Sequence, residues 1–192
     1  ADNEGRAVLT RLILAFLPAA FLGAVFGDAL KEKLFGPVPA AIAWCVGGVV
    51  LLVWKPKPGT TALTNLSLRN ALIIGLAQGL ALWPGVSRSL VTLIAALALG
   101  LSMSAALEFS FLLGLLTLSA ATFFDLSKHG SELVDQFGLL APSVGFVCAF
   151  ITALVAVKWM VAYLADHSLR IFGWYRLGVG AVAAILLLTN VL

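Results

Sequence analysis

Charge is what this sequence has least of. Only 11% of its 192 residues are Asp, Glu, Lys or Arg, well below the roughly 25% of ordinary soluble domains. Hydrophobic residues make up 61%, and the mean hydropathy is +1.07. Such a chain cannot hide its apolar surface in one water-soluble core, so lipid must cover much of it. Strand-like alternation is missing as well, which argues against an outer-membrane barrel. The expected class is an all-α polytopic membrane protein.

Groups that hold metals or form disulfides are equally scarce. Cys45 and Cys148 sit inside apolar segments without the spacing of a zinc site, and they read as buried, inert thiols. His129 and His167 fall in polar connections and read as solvated loop residues rather than catalytic bases. The net charge of +3 forms no stripe. Basic residues stand singly between apolar spans, the pattern of loop anchors, so nucleic acid is not an expected partner. No signal peptide opens the chain. Ala1-Asp2-Asn3-Glu4 lacks an initiator Met and reads as a cut edge.

What is present is a series of apolar spans. Hydropathy puts crossings at 7–26, 40–54, 105–124, 138–164 and 171–192, with Pro37 and Pro39 starting the second and Lys55-Pro56-Lys57-Pro58-Gly59 closing it. Residues 60–68 form a polar connector with Asn65 and Ser67 as candidate caps. Residues 125–136 read as an aqueous loop. Arg6, Arg11, Lys55, Lys57, Arg69 and Arg170 fall on one face, against Lys31, Lys33 and Lys128 on the other. The positive-inside rule makes the first face cytoplasmic.

Between the second and third crossings lie two half-length apolar segments, one from Arg69 to Trp83 and the other from Leu90 to Leu101, with Pro84-Gly85-Val86-Ser87-Arg88-Ser89 between them. Two short helices meeting at a Pro-Gly break are the sequence form of a re-entrant hairpin. Non-helical backbone is tolerated at that depth only if protein buries it or it lines a polar cavity. The expectation is therefore five crossings plus one re-entrant helix–loop–helix.

Arg88 is the residue that asks for a ligand. A guanidinium at membrane depth is costly, and its planar fork of five donors suits a phosphate or pyrophosphate. Ser87 and Ser89 add hydroxyls, and the positive end of the following helix points at the same place. Pro84, Gly85 and Val86 shape the loop, and Thr92 adds a hydroxyl about a turn later. The bland alternative has Arg88 snorkelling to the interface and the serines capping a helix.

Gln78 can reach the same cavity or satisfy an interhelical hydrogen bond. Glu108, the only carboxylate inside a span after the motif, needs a partner, for which Arg88 is the natural candidate; it equally suits the capped start of its own helix. Tyr175-Arg176 reads as an aromatic-belt and basic anchor pair rather than part of the site.

The run from Gln78 to Ser89, with Thr92 and Glu108-Phe109-Ser110-Phe111-Leu112, resembles the undecaprenyl-diphosphate phosphatase family, the bacitracin-resistance proteins of bacteria. The Pro-Gly-x-Ser-Arg-Ser-x-x-Thr signature is long and specific, and residues 11–54 and 172–177 share the resemblance. It implies hydrolysis of undecaprenyl diphosphate to the monophosphate, recycling the cell-wall carrier lipid in the bacterial inner membrane. It further implies a multi-pass protein whose pocket opens to the outer side, and a homodimer is compatible with it.

The family is built from two inverted repeats, and the resemblance covers one of them. Residues 1–192 then form a single integral membrane domain with its hairpin at about 69–101 and the N-terminal repeat absent. That repeat supplies carboxylates and a catalytic His in the family, and a divalent cation, magnesium or calcium, whose ligands are not identified in this chain. Where the family usually has Gly after Ser-Arg-Ser, this sequence has Leu90. With Arg88, Ser87 and Ser89 as the catalytic group, the serines suit phosphate ligation better than nucleophilic attack. Gln78, Pro84, Gly85, Val86, Thr92 and Glu108 complete the expected substrate contacts. A transporter, or a non-catalytic half-protein that binds lipid phosphate, remains the alternative.

Overall fold

The computed structural model of the chain describes residues 2–54, 57 and 59–189. Lys55, Pro56 and Pro58 of the expected connector, Ala1 at the start and residues 190–192 of the final span lie outside the described residues. Helices run as α1 (Asp2–Leu34), α2 (Pro37–Val53), α3 (Leu68–Gln78), α4 (Arg88–Ala98), α5 (Met103–Phe137), α6 (Leu140–Asp166) and α7 (Arg170–Leu188). Short 3₁₀ turns fill Leu63–Asn65 and Gly79–Leu82. Portions of α1, α5, α6 and α7 are long and apolar enough to cross a membrane. With 17 residues, α2 stands at the lower end of the roughly 17–25 needed. The chain is an all-α, multi-pass membrane protein.

It divides into two compact units. One holds α1 to α4, the start of α5 through Gly114 and, from Ser168 onward, α7; the other is Leu115–His167.

In the first unit, small residues let helices approach closely. Gly75 of α3 lies against the Ala15 backbone of α1, so tightly that a Cβ there would overlap it. On α2, a Cβ at Gly48 would meet Leu177 Cγ of α7 at 2.9 Å, and on α7 one at Gly173 would meet the Gly48 carbonyl at 3.0 Å. Close backbone approach is how membrane helices gain packing where lipid removes the hydrophobic incentive to associate.

The expected hairpin forms. Ser67 caps α3, accepting a hydrogen bond from the Asn70 N–H at 3.1 Å, and α3 packs against α4. The two ends of the excursion are stitched together. Gly59 N–H donates to the Leu101 carbonyl (3.0 Å), Thr61 N–H to Gly100 (3.1 Å) and Ser102 N–H to Thr61 (3.0 Å). A segment whose entry and exit are hydrogen-bonded side by side turns back on itself rather than crossing. Arg11 of α1 donates through Nε to the Leu66 carbonyl, fixing the entry point.

The second unit corrects one expectation. Residues 125–136 are not a loop; they continue α5 as helix to Phe137. The stretch holds no Pro; Leu126, Lys128, Glu132, Leu133 and Gln136 are good helix formers, and Gly130 alone is not enough to stop a helix. The Lys128 ammonium lies 4.3 Å from the Phe124 ring one turn back. Reversal waits for Gly138, whose φ of +67° lies in the left-handed region glycine adopts freely. His129 is accordingly helical rather than in a loop. Cys148 also departs from expectation: it is exposed, because α6 presents its apolar side chains outward along its length. Cys45 of α2 is half-buried instead of fully enclosed, lying where a Cβ on Gly180 of α7 would meet its sulfur at 2.5 Å.

Candidate functional site

The hairpin tip is built by local sequence. Trp83 N–H donates to the Leu80 carbonyl and Val86 N–H to Trp83, closing a turn over Pro84-Gly85. Gly85 has φ +87°, and a Cβ there would lie 2.6 Å from the Ala40 carbonyl of α2. Glycine is required on both counts. Trp83 Nε1 donates to the Pro39 carbonyl at 3.1 Å, tying the tip to the start of α2.

Ser87 is the N-cap of α4, its Oγ accepting from the Leu90 N–H at 3.4 Å. Its hydroxyl also lies 3.3 Å from that of Ser89. Arg88 is the first residue of α4, beside the helix N-terminus whose leading N–H groups have no intrahelical acceptor. The guanidinium packs on Gly114 of α5, where any Cβ would overlap it. Its Nη1 is buried with no hydrogen-bond partner. Buried donors are nearly always paired in folded proteins, so an unpartnered guanidinium N–H on the first residue of a helix marks a place for an anion.

Thr92 faces elsewhere. Fully buried, its Oγ1 lies 2.6 Å from Ser110 Oγ of α5, 3.0 Å from the Arg88 carbonyl and 3.2 Å from that of Ser89. Ser110 Oγ reaches the Ser89 carbonyl at 3.2 Å. Each hydroxyl has one hydrogen, so one donates to the other and the other to a main-chain carbonyl. The pair clamps the first turn of α4 to α5, holding Arg88 and Ser89 from behind.

The geometry bears on the two residues for which alternative readings were open. Glu108 is exposed, and among the described residues no ion pair joins it to Arg88. Helical phase explains this: Phe109, Ser110 and Leu113 take the inward face of α5, and Glu108 falls outside it. Gln78 is 2% exposed at the end of α3, among the helices rather than on the cavity described next.

A cavity of about 420 Å³ lies between α2, Leu80, Trp83 and Val86 of the tip, α4 and α7. Ser87 is on its wall; Arg88 is not. Arg176 of α7 is. Rather than anchoring to the interface, Arg176 turns inward, its Nη2 donating to the Gly85 carbonyl at 2.6 Å and to Ala43 at 3.3 Å. Its Nε is buried without a partner. Tyr175, 69% exposed, faces out. The site residue that sequence reasoning missed is thus Arg176. The signals for it were a permanent charge six residues past the first residue of an apolar helix and the resemblance over residues 172–177.

Residues 1–182 match the family described as "Bacitracin resistance protein BacA". The chain belongs to that family. This BacA-family chain is 45% identical over 187 residues to "Undecaprenyl-diphosphatase 2" of Rhodospirillum rubrum, covering 95% of the chain and 67% of the relative. It is 43% identical over 182 residues to "Undecaprenyl-diphosphatase 1" of Chromobacterium violaceum, covering 92% and 66%. With "Undecaprenyl-diphosphatase" of Nitrosospira multiformis it shares 43% over 188 residues, covering 96% and 68%. The BacA-family chain therefore spans about two thirds of the length of these relatives.

No residue of this chain is assigned to the divalent cation that the resemblance implies. Among the described residues, no group of three or more His, Cys, Asp or Glu could hold a metal ion.

Proposed function

We propose that this BacA-family chain acts, in the bacterial inner membrane, in the hydrolysis of undecaprenyl diphosphate to undecaprenyl phosphate and inorganic phosphate. The three relatives are named undecaprenyl-diphosphatases. One observation carries the reading within the chain itself: the unpartnered, buried Nη1 of Arg88 at the head of α4. The terminal phosphoryl group is the anion it awaits.

In the reaction, water attacks the terminal phosphorus, and the bond from that phosphorus to the bridging oxygen breaks. The bridging oxygen leaves with the prenyl phosphate, and the attacking water's proton is lost to solvent or a base. Arg88 holds the terminal phosphoryl oxygens and neutralises charge as it shifts toward the bridging oxygen, the largest share of catalysis in phosphoryl transfer. Ser87 and Ser89 orient the same oxygens as hydroxyl donors. The Thr92–Ser110 clamp keeps the first turn of α4 in place, so the donors need no reorganisation when charge develops.

The test is phosphate release from detergent-solubilised protein given a long-chain prenyl diphosphate. Arg88→Ala is expected to lower turnover by about 10²–10³-fold or more, the scale of losing one preorganised donor. Near-full activity in that variant, with helix content intact, overturns the assignment.

A further inference from the structure

Phe124 and Gly138 bracket a polar stretch of α5 that is helical to its end. Before it, the span 105–124, whose only charge is Glu108 near its start, is about 30 Å of helix and enough to cross once. After it, no charge appears from 138 to 157, again about 30 Å, and Lys158-Trp159 follow as an interfacial pair. Phe124 and Gly138 therefore meet the same boundary of the bilayer. The segment between them, 125–137, is about 20 Å long. A rod with both ends at one depth lies along the membrane rather than standing out from it.

Its side chains are sorted for that position. At about 100° per residue, Leu126, Gly130, Leu133, Val134 and Phe137 fall within an arc of about 100°, and the polar residues of the segment fall outside it. The large members of this stripe are exposed, Phe137 at 56%, so no helix among the described residues covers them. Asp125, Glu132 and Asp135 against Lys128 make the opposite face acidic. Helices that draw on anionic lipids carry Lys and Arg there instead.

We infer that 125–137 is an interfacial helix, docked by its apolar stripe on a surface of zwitterionic lipid headgroups. The stripe is continuous with exposed apolar side chains of both neighbouring spans, Phe123 before it (73%) and Leu140 after it (78%). A water-soluble partner would need the stripe to stand clear of the bilayer, which the common depth of its two ends prevents. Because α5 is continuous through Phe124, the change of direction is a bend and not a break. Ser127 Oγ donates to the Phe124 carbonyl at 2.7 Å, and back-bonding to a preceding carbonyl bends helices. The docked segment sets the depth of the two spans it joins. Sliding either one along the membrane normal would drag polar side chains into lipid or lift the stripe into water.

The experiment is a depth measurement by spin labelling of the full chain in phosphatidylcholine nanodiscs, with Cys45→Ala and Cys148→Ala removing the native thiols. Labels go singly at Leu126→Cys, Leu133→Cys and Phe137→Cys on the stripe, and at Ser131→Cys and Asp135→Cys opposite. Oxygen, which concentrates in lipid, and a water-soluble nickel chelate serve as relaxing agents. The stripe labels are expected at a common depth, about 5–10 Å into the headgroup–acyl boundary, with several-fold lower nickel access than the labels opposite. Equal nickel access on both faces overturns the inference, because the segment then stands in water. So does a stripe shielded from both agents, the mark of a second copy or another protein segment over it. Adding phosphatidylglycerol is expected to leave the stripe no deeper; burial that appears only with this anionic lipid overturns the choice of surface. Where a cysteine variant does not fold, the unmodified protein is used, in nanodiscs doped with a phosphatidylcholine carrying a diazirine high on its acyl chain. Mass spectrometry should then find label on Leu126, Leu133 or Phe137. Label on α6 with none in 125–137 overturns the inference.

Discussion

Arg176 and Gly85, 91 residues apart, are joined by a hydrogen bond of 2.6 Å from Nη2 to the carbonyl. The guanidinium of the last helix thereby holds the one residue of the hairpin tip with positive φ. Arg176→Met leaves that carbonyl and that of Ala43 without their donor. A charged donor contributes about 1.5–3 kcal/mol, and a loss of that size is expected in detergent unfolding. Amide exchange at Val86 and Ser87 should rise with it; unchanged exchange there would show that Arg176 does not hold the tip.

Gly114 sets where Arg88 can lie. A methyl group at this position overlaps the guanidinium, whose far end is free to swing away. Gly114→Ala is therefore expected to keep its fold and lose activity. A displacement of about 1 Å in a positioning group can cost on the order of 10²-fold. The check is kcat against thermal midpoint: a large fall in the first with little change in the second.

Gly85 and Gly138 separate strain from collision. Both have positive φ, but a Cβ at Gly85 meets the Ala40 carbonyl at 2.6 Å, while one at Gly138 has nothing within 4 Å. Gly138→Ala is expected to cost only the left-handed penalty, about 1–2 kcal/mol. Gly85→Ala should cost clearly more in the same unfolding assay. Equal losses would mean that the tip does not rest on α2.

Thr92→Val and Ser110→Ala test the clamp. Each hydroxyl also reaches a main-chain carbonyl, so a single substitution loses the hydroxyl–hydroxyl bond, about 0.5–1.5 kcal/mol, and the second loses little more of it. The double variant is expected to be less destabilised than the sum of the singles. If each single variant instead raises KM with stability unchanged, Thr92 contacts substrate directly.

Glu108→Gln provides the contrast. The side chain is exposed and without an ion pair among the described residues, so stability should stay within about 0.5 kcal/mol and turnover close to that of the parent. A large loss of activity would return Glu108 to the site.

The readable parts of this protein were those governed by neighbouring residues. Pro84-Gly85 broke the helix, Ser67 and Ser87 capped the helices that follow them, and the apolar spans announced membrane crossings. Each depends on contacts within a turn or two. Residues 125–136 differ from the sequence expectation for an equally local reason: a polar stretch has the composition of a loop, yet without Pro it extends a helix until a residue such as Gly138 lets it turn.

By itself, then, the sequence determined the class, the hairpin and the presence of a guanidinium between two hydroxyls. Tertiary structure decided which groups meet there. Arg176 reaches Gly85 because small residues bring α2 and α7 together, and a Cβ on Gly47 would already lie 2.9 Å from Arg176 Nε. Thr92 turns to Ser110, and Glu108 turns away, because only one face of α5 can pack against α4. The reason is physical. A cap or a break is chosen by the backbone groups beside it, whereas the direction of a long side chain is chosen by whichever helix comes close enough to take its hydrogen bonds.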